Sequence, residues 1–593
     1  MSFVIDLETE GLGINDPINY VGVYNGEHYG IYELPEERDT AIRVLNYIKG
    51  TGEPVGYQHG KWDTFRLLRQ LGIDMPITHD SMILGYLCSN VTEMKKSKKG
   101  SLSLKTLAQK YLGVPDWDID TAVKKGKGEE VKKYLKYDLK YTYDLIQKLL
   151  KELCPLRRLT YKLIMRATNA YKYIESNGVP IDLKQLEVVR EENLVKLDKL
   201  LYKFSQLSTI NFNSPKQLQN LLYNELGLPV TNLTKTGQPS TNEDTLLNLK
   251  GMHPVVDLLL ELRETKKCDD FLKDWKEKAV DGKLYPTFNL HTTVTGRTSC
   301  NNPNLQQVPR EKALKSLFRS NDPEWEFVQM DYSQIELRIA AIVADVKAMK
   351  EAYIKGEDLH TNMATVITRK NLKDISKEER TGAKAANFGY LYGMGAPSFC
   401  DYAKSTYGIK VTPPEAQLIR GNFFTMYPEL PLHYQMVTSE LRNKQYIRSI
   451  MSRVYEIEAS HLALDTGSCL RGAINFTVQG TASDYVLCGI IELVETMRHR
   501  IKVLGTVHDS VLMLVRKGAS FAQDITQARK ILERPKLIKN LLNPDYKIDI
   551  PIVVDVEIGP WGCGVSLDEY IKESSYEKCS KNNTKEVGGL ASA

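Results

Sequence analysis

The sequence has no apolar run near the ~18 residues that cross a bilayer; uncharged apolar stretches such as Val486 to Ile491 are far shorter. It opens MSFVIDLE, with an acid at position 6 and no basic start, so no secretory signal is expected. Its nine cysteines are odd in number and include no C-x-x-C pair, which argues against a disulfide framework and a zinc site. A reducing, intracellular compartment follows. Charge of one sign is also lacking: Lys+Arg of 79 against Asp+Glu of 74 leaves +5, too little to name a partner. There are no internal repeats. Present instead is the composition of a chain with proper cores, 42% hydrophobic and 26% charged over 593 residues, which excludes disorder for most of its length. At roughly 150 residues per domain it suggests about four domain-sized units.

Basic residues cluster at Lys95, Lys96, Lys98 and Lys99, and again at Lys124, Lys125, Lys127, Lys132 and Lys133. Each run fits a solvated face as well as a track for phosphates. Residues 2–5 and 20–24 read as short strands. Helical periodicity runs from about Leu102 to Leu153 and ends at Cys154-Pro155, because proline cannot continue the hydrogen-bond ladder. Residues 1 to about 155 thus form an α/β unit. Residues 161–281 are mostly helical, residues 284–567 mix strands with helices, and the polar segment after Tyr576 is expected to be mobile.

Asp6 and Glu8 are two apart on the first strand and so share a face. Two acids held together repel unless a cation lies between them, although D-x-E alone also fits surface charge. Asp63 follows Tyr57-Gln58-His59-Gly60-Lys61-Trp62. Tyr134, Asp138 and Thr142 are spaced i, i+4, i+8, one face of a helix with ~40° of drift per step. A D-x-E strand, a later Asp and a helical Y-x-x-x-D resemble the DEDD-type 3′–5′ exonucleases, here the proofreading domain of family A DNA polymerases. The resemblance implies that Asp6, Glu8, Asp63 and Asp138 bind two metals and that Tyr134 orients the attacking water. The family's usual Asn before the third acid is His59 in this chain.

In the C-terminal half, Asp331-Tyr332-Ser333-Gln334-Ile335-Glu336-Leu337-Arg338 follows a strand expected at Phe327–Met330 and begins a helix expected near Ser333. Arg380, Lys384, Phe388 and Tyr392 recur at i+4, two cations and then two aromatics on one helical stripe. That order suits a nucleotide, with phosphates on the first pair and a base against the second; Gly382 and Gly389 are weaknesses in such a helix. Asp509 stands in Val507-His508-Asp509-Ser510-Val511, a tight turn between two strands. Asp331 and Asp509 are therefore strand-end acids, a minimal two-metal site for phosphoryl transfer.

These segments resemble motifs A, B and C of family A DNA polymerases. Further resemblances lie at Thr295–Ser299, Pro303–Gln306, Asp358-Leu359-His360, Lys216-Gln217-Leu218, Ser240-Thr241 and along Arg471, Asn475 and Gln479. The implied fold is multidomain α/β and α+β: an RNase H-like DEDD exonuclease domain (1–155), then a right hand of thumb (156–285), palm (286–345 and 446–570) and fingers (346–445), with a mobile tail (571–593). No 5′-nuclease domain is expected. The implied activity is template-directed, primer-dependent DNA synthesis from dNTPs with 3′–5′ proofreading, suited to phage replication. Asp331 and Asp509 would hold two Mg²⁺ ions, with Mn²⁺ as a substitute. His360, Arg380 and Lys384 would neutralise the triphosphate, Phe388 and Tyr392 would pack on the nascent pair and sugar, and Glu336, with Gln334 beside it, would exclude a 2′-hydroxyl. Arg297, Asn304, Gln306, Arg471, Asn475, Gln479 and His508 would touch primer–template DNA. Other implied partners are a helicase and a single-strand binding protein, with a monomeric state, a cytoplasmic location (the host's if viral) and no membrane. A single-subunit RNA polymerase shares the palm, but the exonuclease pattern and Glu336 speak against it. A decayed polymerase acting only as an exonuclease conflicts with the intact palm acids and fingers stripe.

Overall fold

The computed structural model describes residues 2–96, 101–234, 236–464 and 466–572. Lys98 and Lys99 of the first basic run, and residues 573–593 of the expected tail, lie outside them. A five-stranded sheet opens the chain, with β1 (Phe3–Thr9), β2 (Ile18–Tyr24), β3 (Tyr29–Glu33), β4 (Val55–Tyr57) and β5 (His79–Asp80) in the order β3-β2-β1-β4-β5. β2, INYVGVY, is buried along its whole length, as its β-branched and aromatic content suits. α1 (Gly60–Arg66) follows β4, and α2 (Ser81–Cys88) follows β5, capped by Asp80, which accepts from the Met82 and Ile83 amides. The long helix α3 (Glu129–Glu152) lies on β1 and β2. Gly22 makes that seat possible. A Cβ there would lie 2.8–2.9 Å from Leu139 Cδ1 and Leu135 Cγ, so glycine lets α3 approach the sheet that carries Asp6 and Glu8.

The continuous helix expected over 102–153 is three: Leu104–Leu112, Thr121–Lys124 and α3. Ser103 and Asp120 cap the first two, and Gly113 ends the first in the left-handed conformation. The boundary at Pro155 does separate helices, but α4 (Arg158–Asn177), placed in the thumb by the sequence reading, packs against α1, α2 and the palm. Its buried face of Tyr161, Ile164, Ala167, Tyr171 and Ile174 joins the core that continues from the first sheet into palm and fingers. The two ends are also locked by a polar contact. Lys61 on α1 pairs with Glu175 on α4 and donates to the Phe288 carbonyl at 2.7 Å, while the Phe288 amide donates to Glu175 at 2.7 Å. In the segment expected as the thumb, α5 (Leu183–Leu207) and α6 (Pro254–Lys278) run antiparallel and contribute to a separate core.

β6 (Thr287–Asn289) and β7 (Ser299–Asn301) form a hairpin beside a four-stranded antiparallel sheet. That sheet contains β8 (Trp325–Tyr332), β9 (Ile501–Val507), β10 (Ser510–Arg516) and β11 (Val554–Ile558), in the order β9-β10-β8-β11. α7 (Ile335–Val343) follows β8. It begins two residues later than expected: Gln334, at φ +54°, occupies the N-cap position, and the Ser333 amide donates to the Val553 carbonyl. α8 (Leu359–Thr368) and α9 (Lys377–Tyr390) pack together in the segment expected as the fingers, α9 starting on a capping box of Ser376 and Glu379. The 32-residue α10 (Thr466–Met497) lies beneath α7 and β9.

Candidate active sites

In the first domain the structure brings together three of the four expected acids. One carboxylate oxygen each from Asp6, Glu8 and Asp138 lie within 4.8 Å of one another. The alternation of β1 and the position of Asp138 on α3 produce this convergence. Asp63 stands beside these three: it is buried on α1, 3% exposed, acts on Asp6, and feels Asp80, Arg66 and Glu8. Burial raises all four carboxyls. Glu8 is pushed up to about 8, with Asp138 adding to the effect, and Asp138 itself to about 6 against the hydrogen bonds it receives. Asp6 rises through burial, then Asp63, Asp138 and Glu8. Carboxyls this costly to ionise suit a hard divalent cation, which repays the burial of their charge.

Residues that the motif did not include hold this cluster in place. Trp117 Nε1 donates to Asp138 Oδ1 at 2.5 Å. The ammoniums of Lys124 and Lys105 stand 4.5 and 4.9 Å from the centre of the Tyr134 ring, and both pair with Asp118. Much of the second basic run is similarly engaged: Lys127 with Glu33 and Glu36, Lys132 with Glu33 and Glu129. His59 adopts a left-handed conformation (φ +62°) ahead of α1 and sits edge-on to His291, ring centres 6.5 Å apart.

In the palm, Asp331 on β8 is the Cα partner of Ser510 on β10 and of Asp555 on β11. The hairpin turn brings Asp509 beside it, and the Tyr332 amide donates to the Asp509 carbonyl at 3.1 Å. His508, before Asp509, and Gln334, before α7, are both left-handed, strain of the kind that gathers at functional sites. Asp331, Asp509, Asp555 and Glu557 line one cavity of about 350 Å³ with His508 and Lys315. Desolvation pushes the Asp509 carboxyl up to about 6, Glu336 and Asp331 adding and Arg297 opposing. Arg297 lies 3.7 Å from Asp509 and pairs closely with Glu336. Glu336 also accepts from the Tyr392 hydroxyl at 2.5 Å and from Gln479 at 3.4 Å, and Gln334 accepts from Tyr353 at 3.0 Å. Asp555 and Glu557 carry no motif; only strand pairing reveals them.

The fingers stripe is largely as expected, with two corrections. α9 ends at Tyr390, so Tyr392 lies in the turn closed by Gly393 (φ +75°) and reaches Glu336 from there. His360 is placed where burial favours its neutral form. It is 2% exposed, and burial holds its imidazole down to about 4. The Asn387 side-chain amide lies 2.9 Å from its Nδ1, a contact that suits a neutral ring with its proton on Nε2. Arg380 is paired with Asp358 at 2.5 Å, and Lys384 is exposed. The Phe388 ring lies 5.8 Å from that of His360. Gly389 is explained by packing, since a Cβ there would stand 2.8 Å from Phe399.

Of the expected DNA contacts, Arg471, Asn475 and Gln479 share a face of α10; Arg471 is exposed, and Asn475 Oδ1 is buried without a hydrogen-bond partner among the described residues. Asn304 and Gln306 are half-buried and engaged within the chain. Asn304 accepts from the Gln306 amide, and Gln306 Nε2 donates to the carbonyls of Thr298 and Thr506 at 3.1 and 3.3 Å, tying that loop to β9.

The strand-end acids of the four-stranded sheet are set at one cavity, and the comparisons with known proteins give the family. The model of DNA polymerase family A matches residues 181–562, well over half of the chain, and the chain belongs to that family. DNA polymerase I of Aquifex aeolicus is 30% identical over 394 residues, 64% of this chain and 64% of that protein. DNA polymerase I of Streptococcus pneumoniae is 29% identical over 517 residues, 83% of this chain and 56% of that protein. The chain spans less than two thirds of the length of either relative. The polymerase domain of Pol1 from M. smegmatis, in complex with DNA primer–template and dNTP, shares the fold at a TM-score of 0.79 and 23% identity, over 94% of this chain and 95% of that one. Among the described residues no helix is long and apolar enough to cross a membrane.

Proposed function

We propose that this protein extends a primer on a DNA template by nucleotidyl transfer from dNTPs, and that residues 1–155 remove mispaired 3′ ends. The observation that carries the first part is the juxtaposition of Asp331 and Asp509 at neighbouring strand ends, within the segment matched by the family model. The convergence of Asp6, Glu8 and Asp138 supports the second. Bound Mg²⁺ or Mn²⁺ supplies a lowered pKa at the attacking hydroxyl and charge neutralisation on the leaving group. Asp331 and Asp509 would hold that metal in the palm, and Asp6, Glu8 and Asp138 in the first domain, with Asp63 adjacent.

The remaining roles belong to the chain. Arg380 and Lys384 attract the triphosphate, Arg380 exchanging Asp358 for phosphate, while His360 donates through Nε2 without adding charge. Phe388 faces the sugar. Glu336, held by Tyr392, Gln479 and Arg297, stands where a 2′-hydroxyl would need room. Arg471, Asn475 and Gln479 follow the minor groove, whose acceptors vary little among base pairs, so that pairing is sensed without sequence being read.

The test is extension of a labelled primer opposite a defined template with Mg²⁺ and either deoxy- or ribonucleotides. Template-directed incorporation of deoxynucleotides alone is expected, with Glu336→Ala admitting ribonucleotides. Absence of template-dependent extension, with the protein folded, would refute the reading.

A further inference from the structure

Ser510 follows Asp509 and is buried, 7% exposed. Paired residues of antiparallel strands leave the same face of a sheet with their Cβ atoms ≈ 4.5–5.5 Å apart, so the pairing of Ser510 with Asp331 directs the hydroxyl at the carboxylate. Ser510 Oγ donates to Asp331 Oδ1. The direction of that bond is not free to reverse. Gln329, two residues before Asp331 and on the same face, donates through Nε2 to Ser510 Oγ at 3.2 Å. An ionised carboxylate only accepts, and a hydroxyl that receives a bond from an amide must send its own proton elsewhere. Gln329 Oε1 is itself buried without a partner among the described residues, so the amide nitrogen supplies the hydrogen bond through which that side chain joins the chain of contacts.

We propose that Gln329 and Ser510 form a positioning relay for Asp331. The relay occupies one carboxylate oxygen and fixes the side-chain rotamer, which leaves the other oxygen presented to the cavity that Asp509 also lines. Both also line that cavity, but each is bonded toward Asp331. Their effect passes through Asp331, in the way that outer hydrogen bonds orient metal-binding carboxylates. The proposal rests on the reading of Asp331 and Asp509 as the metal-holding pair of the palm.

The experiment uses the full chain with Asp6→Ala and Glu8→Ala, so that a metal probe reports the palm. Mn²⁺ binding is followed by electron paramagnetic resonance, beside single-nucleotide extension over a Mg²⁺ titration and primer–template affinity. Ser510→Ala should weaken Mn²⁺ binding and raise the Mg²⁺ needed for half-maximal extension by about tenfold, with DNA affinity unchanged. Ser510→Thr keeps the hydroxyl and should restore both. Gln329→Leu leaves the hydroxyl free to rotate and should give a smaller loss of the same kind. Wild-type metal binding and Mg²⁺ requirement in Ser510→Ala, while Asp331→Asn abolishes both metal binding and extension, would overturn the relay alone. Intact extension in Asp331→Asn would overturn the underlying site, and the relay with it.

Discussion

The two acid clusters solve the same electrostatic problem in opposite ways. In the first domain Asp6, Glu8 and Asp138 crowd within 4.8 Å, and burial drives their carboxyls upward, Glu8 to about 8. In the palm the charge is offset by donors. Asp331 is bonded to Ser510, Asp509 lies near Arg297, and Glu336 is held by Arg297, Tyr392 and Gln479. The first site carries buried carboxyls whose charge a cation would compensate. The second is offset in part, Asp509 still being raised to about 6, and on the proposed function some of its contacts exchange when a nucleotide enters.

The largest test of that contrast separates the two sites. Asp509→Ala should lower extension by about a thousandfold or more, since metal-ion catalysis supplies several kcal/mol and each ~1.4 kcal/mol is tenfold. Single-strand degradation should survive. Asp6→Ala with Glu8→Ala should do the reverse. Loss of both activities from either change in a folded protein would show that the clusters are not independent.

A smaller effect probes the exchange expected in the palm. A phenyl ring at 388 offers no hydrogen bond, so a normal nucleotide must satisfy its own 3′-hydroxyl, which a dideoxynucleotide cannot do. Phe388→Tyr supplies a hydroxyl worth about 1–3 kcal/mol in a dry site, and discrimination against dideoxynucleotides should weaken by about one to two orders of magnitude. Single-nucleotide incorporation in an exonuclease-deficient background measures it. An unchanged ratio would place Phe388 away from the sugar.

Arg471→Ala should weaken primer–template binding by a few-fold without regard to sequence and reduce the slope of log affinity against log salt by about one, as fluorescence anisotropy over a salt series would show. An unaltered slope would mean that this face of α10 does not meet phosphates.

The smallest effect sharpens the electrostatic side of the comparison. At pH 7 the unfolded chain has Glu8 ionised, its ordinary value being 4.5, whereas the metal-free fold holds it protonated up to about 8. The folded state binds more protons, so stability should fall as pH rises from about 4.5 to about 8. Glu8→Gln should flatten that decline, and Mg²⁺ should raise the melting temperature by more at pH 8 than at pH 6. Asp509, shifted only to about 6, should contribute less and over a lower range, which Asp509→Asn would reveal in calorimetry. Equal slopes in wild type and Glu8→Gln would mean that Glu8 is not held protonated.

Much of this was legible before any coordinates. The period of two along β1 placed Asp6 and Glu8 on one face, and the i+4 spacing placed Tyr134 and Asp138 together on α3. The β-branched residues around His508-Asp509 marked the hairpin. Other features had no local signal. α4 reads as an amphipathic helix, but nothing in its period says that it packs on the palm instead of the α5–α6 pair. His360 sits in a polar segment, and only the approach of Asn387 and the surrounding core favour its neutral form.

What the sequence determined by itself was therefore set by short-range periodicity: which acids end strands, which residues share a helical face, and where proline or glycine stops an element. What only the tertiary structure decided depends on pairs far apart in the chain. These include the pairing of Asp331 with Ser510 and Asp555, the burial of Asp63 between Asp80 and the Asp6–Glu8 pair, and the bonding of Gln306 toward β9. Strand register and desolvation fix these. Both are properties of the packed chain, because register depends on which strands meet and desolvation on what covers a charge once they have met.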